Sequence, residues 1–118
     1  MGHLVMYLGD LPEAPIDAAA CFFSKRAPEA RGLLMDGAWK LMGLELEPEA
    51  LTYIFPTGGK DHEGWQRAAI QALARELAPK RVNGVIGDGL ASTDQVTDWL
   101  ADAAGITGQL LAFGPAGN

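Results

Sequence analysis

The chain of 118 residues has a single cysteine, Cys21, which rules out an internal disulfide and any zinc centre built on paired thiolates. His3 and His62 are its only histidines, so a metal centre built from imidazoles is disfavoured as well. There is no apolar stretch long enough to span a bilayer, and no basic segment followed by an apolar run and a small-residue cleavage site at the start. These absences lead us to expect a cytoplasmic protein. Positive charge is scarce too: nine Lys and Arg stand against 15 Asp and Glu, giving a net charge of −6. The basic residues are dispersed, which argues against nucleic-acid or anionic-membrane partners, since both need clustered cations. Repeats and low-complexity tracts are missing, so we expect one domain over residues 1–113 and a flexible tail over 114–118. The hydrophobic fraction of 48% and charged fraction of 20% suit a globular chain with a real core.

Short apolar runs alternate with helical periodicity. Leu4-Val5-Met6-Tyr7-Leu8 reads as a strand buried on both faces. Asp17 is placed to cap a helix over residues 18–26, and Pro28 suits the first turn of a second helix over 29–42. In that second helix Ala30, Leu33, Leu34, Gly37, Ala38 and Leu41 share one face, with Gly43 as its stop. Glu45, Glu47 and Glu49 form an acidic loop before the strand Leu51-Thr52-Tyr53-Ile54-Phe55. A long helix follows, beginning near Asp61 and ended by Pro79, with Trp65, Ala68, Ala69, Ala72, Leu73 and Leu77 facing the core. A third strand over 82–86 precedes a helix with a Ser92/Gln95 capping box and an inner face of Val96, Trp99, Leu100 and Ala103. The last strand spans 109–113. Alternation of this kind predicts a parallel α/β sheet, because a parallel strand is reached only by a crossover connection.

The order of these elements resembles the closing half of the short-chain dehydrogenase/reductase fold, from its fourth strand to its seventh. The resemblance is carried by Pro15-Ile16-Asp17, by Ala72-Leu73-Ala74-Arg75-Glu76-Leu77-Ala78-Pro79, by Arg81-Val82-Asn83-Gly84-Val85 and by Ile106-Thr107-Gly108-Gln109. It implies a three-layer Rossmann-like domain on a four-stranded parallel sheet. It also implies that the dinucleotide-binding half of the family fold has no counterpart in this sequence. The family opens its active-site helix with Tyr-x-x-x-Lys, the phenol serving as proton donor or acceptor beside an ammonium that lowers its pKa. Glu63 and Arg67 stand at those positions, and Pro56 or Thr57 stands near the family's serine. Ala27 replaces its asparagine, and Met6-Tyr7-Leu8-Gly9 replaces the Asn-Asn-Ala-Gly that closes its fourth strand.

Glu63 and Arg67, four apart on a helix, read most simply as a solvated ion pair. Thr57, Gly58, Gly59 and Lys60 could turn backbone N–H groups and an ammonium toward an anion, and Gly87, Asp88 and Gly89 form half of a dinucleotide fingerprint. An ordinary βα turn is the simpler reading of both. Cys21 reads as a small buried hydrophobe beside Phe22 and Phe23, His62 as a helix-start residue, and Tyr7 as a packing residue able to reach the crevice. The expected role is a non-catalytic, truncated pseudoenzyme module without a cofactor, NAD(P) included. It would assemble as a homo-dimer or higher oligomer, or dock on a full-length relative, through the helices at 29–42 and 62–78. A binder of nucleotides or acyl-CoA is the alternative, and an oxidoreductase whose cofactor site a partner completes is the third reading.

Overall fold

The computed structural model describes residues 2–9, 11–56, 60–87, 98–100, 103 and 105–113. Strands β1 (Gly2–Tyr7), β2 (Pro48–Phe55), β3 (Arg81–Gly87) and β4 (Leu110–Phe113) form one all-parallel sheet in chain order. Helices α1 (Pro15–Cys21), α2 (Ala27–Met35) and α3 (Glu63–Leu77) lie against one face. The chain over 98–100 is helical and sends the fully buried Leu100 onto the other face, against Ile54 and Val85. The result is three layers, a Rossmann-like α/β arrangement.

Strand alternation sorts the two cores. Leu51, Tyr53 and Phe55 of β2 and Val82 of β3 join the larger core with Phe22, Leu34, Ile70 and Leu73, while Ile54 and Val85 point the opposite way. The larger core is anchored by rings. Phe22 lies 5.2 Å from Tyr53, 5.8 Å from Phe55 and 5.7 Å from Trp65 between centroids, mostly tilted or edge-on as aromatic quadrupoles favour.

Between α1 and α2 the backbone stays helical but widens into a π-turn over Phe22–Arg26, where the Ala27 N–H donates to the Phe22 carbonyl five residues back. Pro28 follows immediately. A proline inside a helix removes a donor and crowds the carbonyl four residues earlier, and the wider turn lets the helix continue past it instead of breaking. The expected division at Pro28 is therefore replaced by a single helical run starting at Pro15, with Asp17 in its first turn and not at its cap. The buried Tyr53 hydroxyl donates to the Arg26 carbonyl at 2.8 Å and secures the junction to β2.

Other boundaries differ from expectation. The helix expected over 29–42 stops at Met35, because Gly37 takes a left-handed φ of 81° that terminates it. The following Ala38–Met42 turn is a 3₁₀ helix whose Leu41 is 91% exposed, so the predicted apolar face does not run through it. Strand β2 begins at Pro48 and takes in Glu49. Val5 and Tyr7 of β1 remain 45% and 48% exposed: β1 is an edge strand, and among the described residues the second core gathers Leu100 and Ile106 with Ile54, Val85 and Leu111 of β2, β3 and β4. On α3 the buried face is Gln66, Ala69, Ile70, Leu73, Ala74 and Leu77, and Ala68 is exposed. Trp99 is exposed and Cys21 is half-buried. The predicted Ser92/Gln95 cap, Val96 and the 114–118 tail lie outside the described residues.

Two of the segments that carried the family resemblance, at 81–85 and 106–109, make one joint. The buried Asn83 amide donates to the Ile106 carbonyl at 3.1 Å and accepts from the Gln109 N–H at 3.1 Å. Thr107 Oγ1 accepts from the Val82 N–H at 3.0 Å, and Gly108, at φ 74°, donates to the Val82 carbonyl at 2.8 Å. Arg81 Nη1 donates to the carbonyls of Leu100 and Ala103, both at 2.9 Å, capping the end of the last helix. At Gly84 an added Cβ would lie 2.9 Å from Leu110 Cδ1 and 3.0 Å from both Ile70 Cγ1 and Phe55 Cε2. All three neighbours are buried, so none can yield freely. Gly84→Ala should therefore cost about 1–3 kcal/mol by overpacking, read as a lower urea midpoint at unchanged slope.

Candidate functional site

In open parallel sheets, ligands bind at the carboxyl ends of the strands. Here that end is bounded by Tyr7 and Gly9 after β1, Pro56 after β2, the 3₁₀ turn Lys60–His62, the start of α3, and Gly87 at the end of β3. Of the predicted anion-binding residues, Thr57, Gly58, Gly59, Asp88 and Gly89 lie outside the described residues. Lys60 is exposed and Gly87 ends β3.

Glu63 begins α3 half-buried and Arg67 is exposed one turn on. The expected ion pair between them does not form, and among the described residues neither side chain has a hydrogen-bond or ionic partner. The long side chains stay solvated, in line with the small gain an exposed helical pair offers against its ordering cost. Among the described residues no cation contacts Glu63, the residue that the sequence resemblance sets at the family's phenol position.

His62 is the ordered polar group at this end. Its Nδ1 accepts from the Trp65 indole N–H at 3.0 Å, which leaves Nε2 to donate to the Glu13 carbonyl at 2.9 Å. Both ring nitrogens are engaged, and the neutral Nε2–H tautomer is the one that satisfies both partners. His62 clamps the loop before α1 to the start of α3, the helix-start role expected of it, although it forms no side-chain cap. Tyr7 is exposed beside Gly9, at the crevice end of β1. Tyr53 is fully occupied at the α1–α2 junction, and burial, reinforced by nearby Glu29, raises its phenol well above the ordinary tyrosine value.

Sequence reasoning missed Gln66. It is 4% exposed on the core side of α3, and its Oε1 accepts no hydrogen bond. A buried acceptor without a donor is costly. The available signal was its place in the stripe with Ile70, Leu73 and Leu77, where an apolar residue would be the normal choice. A groove of about 530 Å³, lined by Gln71, Ala74, Arg75, Ala78, Thr107 and Gly108, lies at the opposite end of α3. It joins none of the predicted site residues. Among the described residues no group of three or more His, Cys, Asp or Glu is arranged to hold a metal, and no helix is long and apolar enough to cross a membrane.

The fold and its carboxyl-end crevice define a Rossmann-like α/β protein. A family described as "Short chain dehydrogenase-like protein" matches residues 6–113, and the chain belongs to that short-chain dehydrogenase-like family. No curated protein and no solved structure matches the chain.

The second histidine, His3, sits on β1 away from the crevice and shares a 2.7 Å hydrogen bond with Thr52 Oγ1. Burial, helped by Arg81 and opposed by Asp98, lowers its pKa below the ordinary 6.5. The unfolded chain therefore binds this proton at higher pH than the folded one. Its contribution to stability is complete above about pH 6.5 and declines as pH falls through the interval down to the folded pKa. Glu76 is held below the ordinary carboxylate range by its hydrogen bond from Arg31 and titrates in a lower window. Urea midpoints should fall between about pH 7 and about pH 5, and His3→Gln should flatten that fall.

Proposed function

We propose that this chain is a non-catalytic short-chain dehydrogenase-like module that acts by assembling, as a homo-dimer or higher oligomer or by docking on a full-length relative. The observation that carries the reading is the start of α3. Glu63 and Arg67 occupy the family's acid–base positions without contacting each other, and His62 is consumed by Trp65 and the Glu13 carbonyl. The family's proton transfer uses a phenol beside an ammonium, and neither residue type stands at these positions.

The residues present also do not fit the family's dinucleotide. A pyrophosphate needs free N–H groups at a helix N-terminus. Of the described helix starts on this side, α1 opens on Pro15, which lacks one of these N–H groups, and carries Asp17 in its first turn, while α3 has Glu63 in its first turn. Both carboxylates would repel phosphate. We therefore assign the chain no NAD(P), and we read it as a pseudoenzyme of cytoplasmic residence.

Assembly is favoured by two features. Among the described residues β1 has a partner strand on one side alone, and proteins normally cover or pair such an edge. Arg31 and Glu76 form a two-pronged ion pair that ties α2 to α3 on the outer surface, presenting both helices together. The exposed Gly64, Ala68 and Gln71 of α3 allow another helix to approach closely.

A second reading, binding of a nucleotide or acyl-CoA, is favoured by Gln66 Oε1, a buried acceptor that a ligand N–H or O–H would satisfy. In light scattering the purified chain should run at about twice its 12.5 kDa mass, and Ala68→Arg should shift it toward the monomer. Thermal unfolding should not respond to NAD, NADP or their reduced forms. A rise of several degrees with one of them at about a hundred times its dissociation constant would overturn the non-catalytic reading. A comparable rise with CoA esters or adenine nucleotides alone would establish the second.

A further inference from the structure

The connection from α2 to β2 carries a cluster of large apolar side chains that the fold does not bury. Met35, Leu41, Met42 and Leu46 are all exposed, within a stretch of twelve residues. Elsewhere among the described residues the exposed large apolar side chains are Val5 and Tyr7 on the edge strand and Ile16, Phe23 and Trp99 singly; four in one short connection form the densest group. The segment is also ordered. Gly37 and Gly43, both at φ 81°, bracket the 3₁₀ turn Ala38–Met42, with the Lys40 N–H on the Gly37 carbonyl and the Gly43 N–H on the Lys40 carbonyl. Gly32 of α2 admits Ala38 closely, so the turn folds back on the helix end. Farther along, Lys80 donates to the Pro48 carbonyl at 2.7 Å and pairs with Glu47, fixing the point where β2 begins.

Charge surrounds these apolar groups unevenly. Asp36, Glu45 and Glu47 are interleaved with them and all exposed, and the cation within the stretch, Lys40, lies over the Trp39 ring at 5.6 Å. Lys80 answers Glu47 alone. Among the described residues Asp36 and Glu45 have no ionic partner.

We propose that residues 35–46 form a docking surface for a cationic amphipathic helix. Leu41, Met42, Met35 and Leu46 would receive its apolar face, and Asp36 and Glu45 its flanking Lys or Arg side chains. This surface lies at the amino ends of the strands, opposite the crevice, and the inference does not rest on the assembly reading above. Two unbranched methionines beside two leucines adapt to a helix face better than to one rigid ligand. An anionic bilayer is repelled by the same carboxylates. A second copy seated here patch to patch is a poorer occupant, because Asp36, Glu45 and Glu47 would meet the same carboxylates across a two-fold contact. The basic exposed residues of α3, Arg67 and Arg75, alternate with Ala68 and Gln71 and bring no large apolar anchor.

The test is fluorescence anisotropy with a labelled Leu/Lys peptide of about five helical turns, leucines at helical spacing, compared with its scrambled version and with a Leu/Glu analogue. We expect the patterned cationic peptide to bind at least about tenfold tighter than either control. Leu41→Ser/Leu46→Ser and, separately, Glu45→Lys should each weaken it about tenfold, and raised salt should weaken it further. These side chains are exposed, so thermal unfolding of the variants should match the parent. Equal binding of patterned and scrambled peptides, or no effect of the Leu41/Leu46 substitutions, would overturn the proposal. So would binding of phosphatidylserine vesicles at this patch, or a fall in the parent's mass caused by Leu41→Ser/Leu46→Ser, which would give the surface to a membrane or to a second copy.

Discussion

The absence of a side chain at Gly84 lets Leu110, Ile70 and Phe55 close over the middle of β3 from three elements at once. Helix α3 can then settle deep on the sheet with Ile70 fully buried, and β4 can take its place with Leu110 in the same core. Asn83, next in sequence, faces the other way and holds the approach to β4 through the Ile106 carbonyl and the Gln109 N–H. One strand thus supplies a packing hollow on one face and a hydrogen-bonding clamp on the other. Arg81 extends the clamp to the end of the last helix. The register of β4, the depth of α3 and the two-core arrangement all follow from this short stretch.

The other fixed point is the ring cluster around Phe22. It joins the helical run before β2 to the strand and to α3, and it explains how a helix containing Pro28 remains a packed element. Tyr53 satisfies the Arg26 carbonyl where the helix widens, while its ring stacks edge-on against Phe22. Trp65 extends the cluster toward the crevice and ends it in the His62 hydrogen bond. The crevice end of α3 is consequently stiff and apolar. Its polar groups are either consumed by structure, as His62 is, or left in solvent, as Arg67 is.

How much could be read from the residues depended on whether the interaction was local. The strand cores, the parallel α/β class and the Arg81-Val82-Asn83-Gly84-Val85 and Ile106-Thr107-Gly108-Gln109 segments were legible, because alternation, helical period and backbone-directed polar residues leave a mark in a short window. The ring partners of Phe22 and the unsatisfied Gln66 were not, because each depends on elements brought together from distant parts of the chain. For the candidate site, sequence gave the absence of a Tyr-x-x-x-Lys pair and the default helix-start role of His62. It overstated the Glu63–Arg67 pair, whose gain is comparable to the cost of ordering two long side chains.

Amphipathic periodicity fixed the kind of each element, since burying a face is a requirement any partner would meet. Which face of α3 turned inward, where the helix after Pro28 ended and how much of β1 stayed uncovered were settled by packing. The hollow at Gly84 favoured the Ile70 side of α3 over the alanine stripe through Ala68, and the left-handed Gly37 stopped the helix short of Leu41. Position at the sheet's edge left Val5 and Tyr7 in solvent despite an apolar run that reads as fully buried. Apolarity gives a residue the tendency to leave water; only the neighbours that reach it determine whether it does.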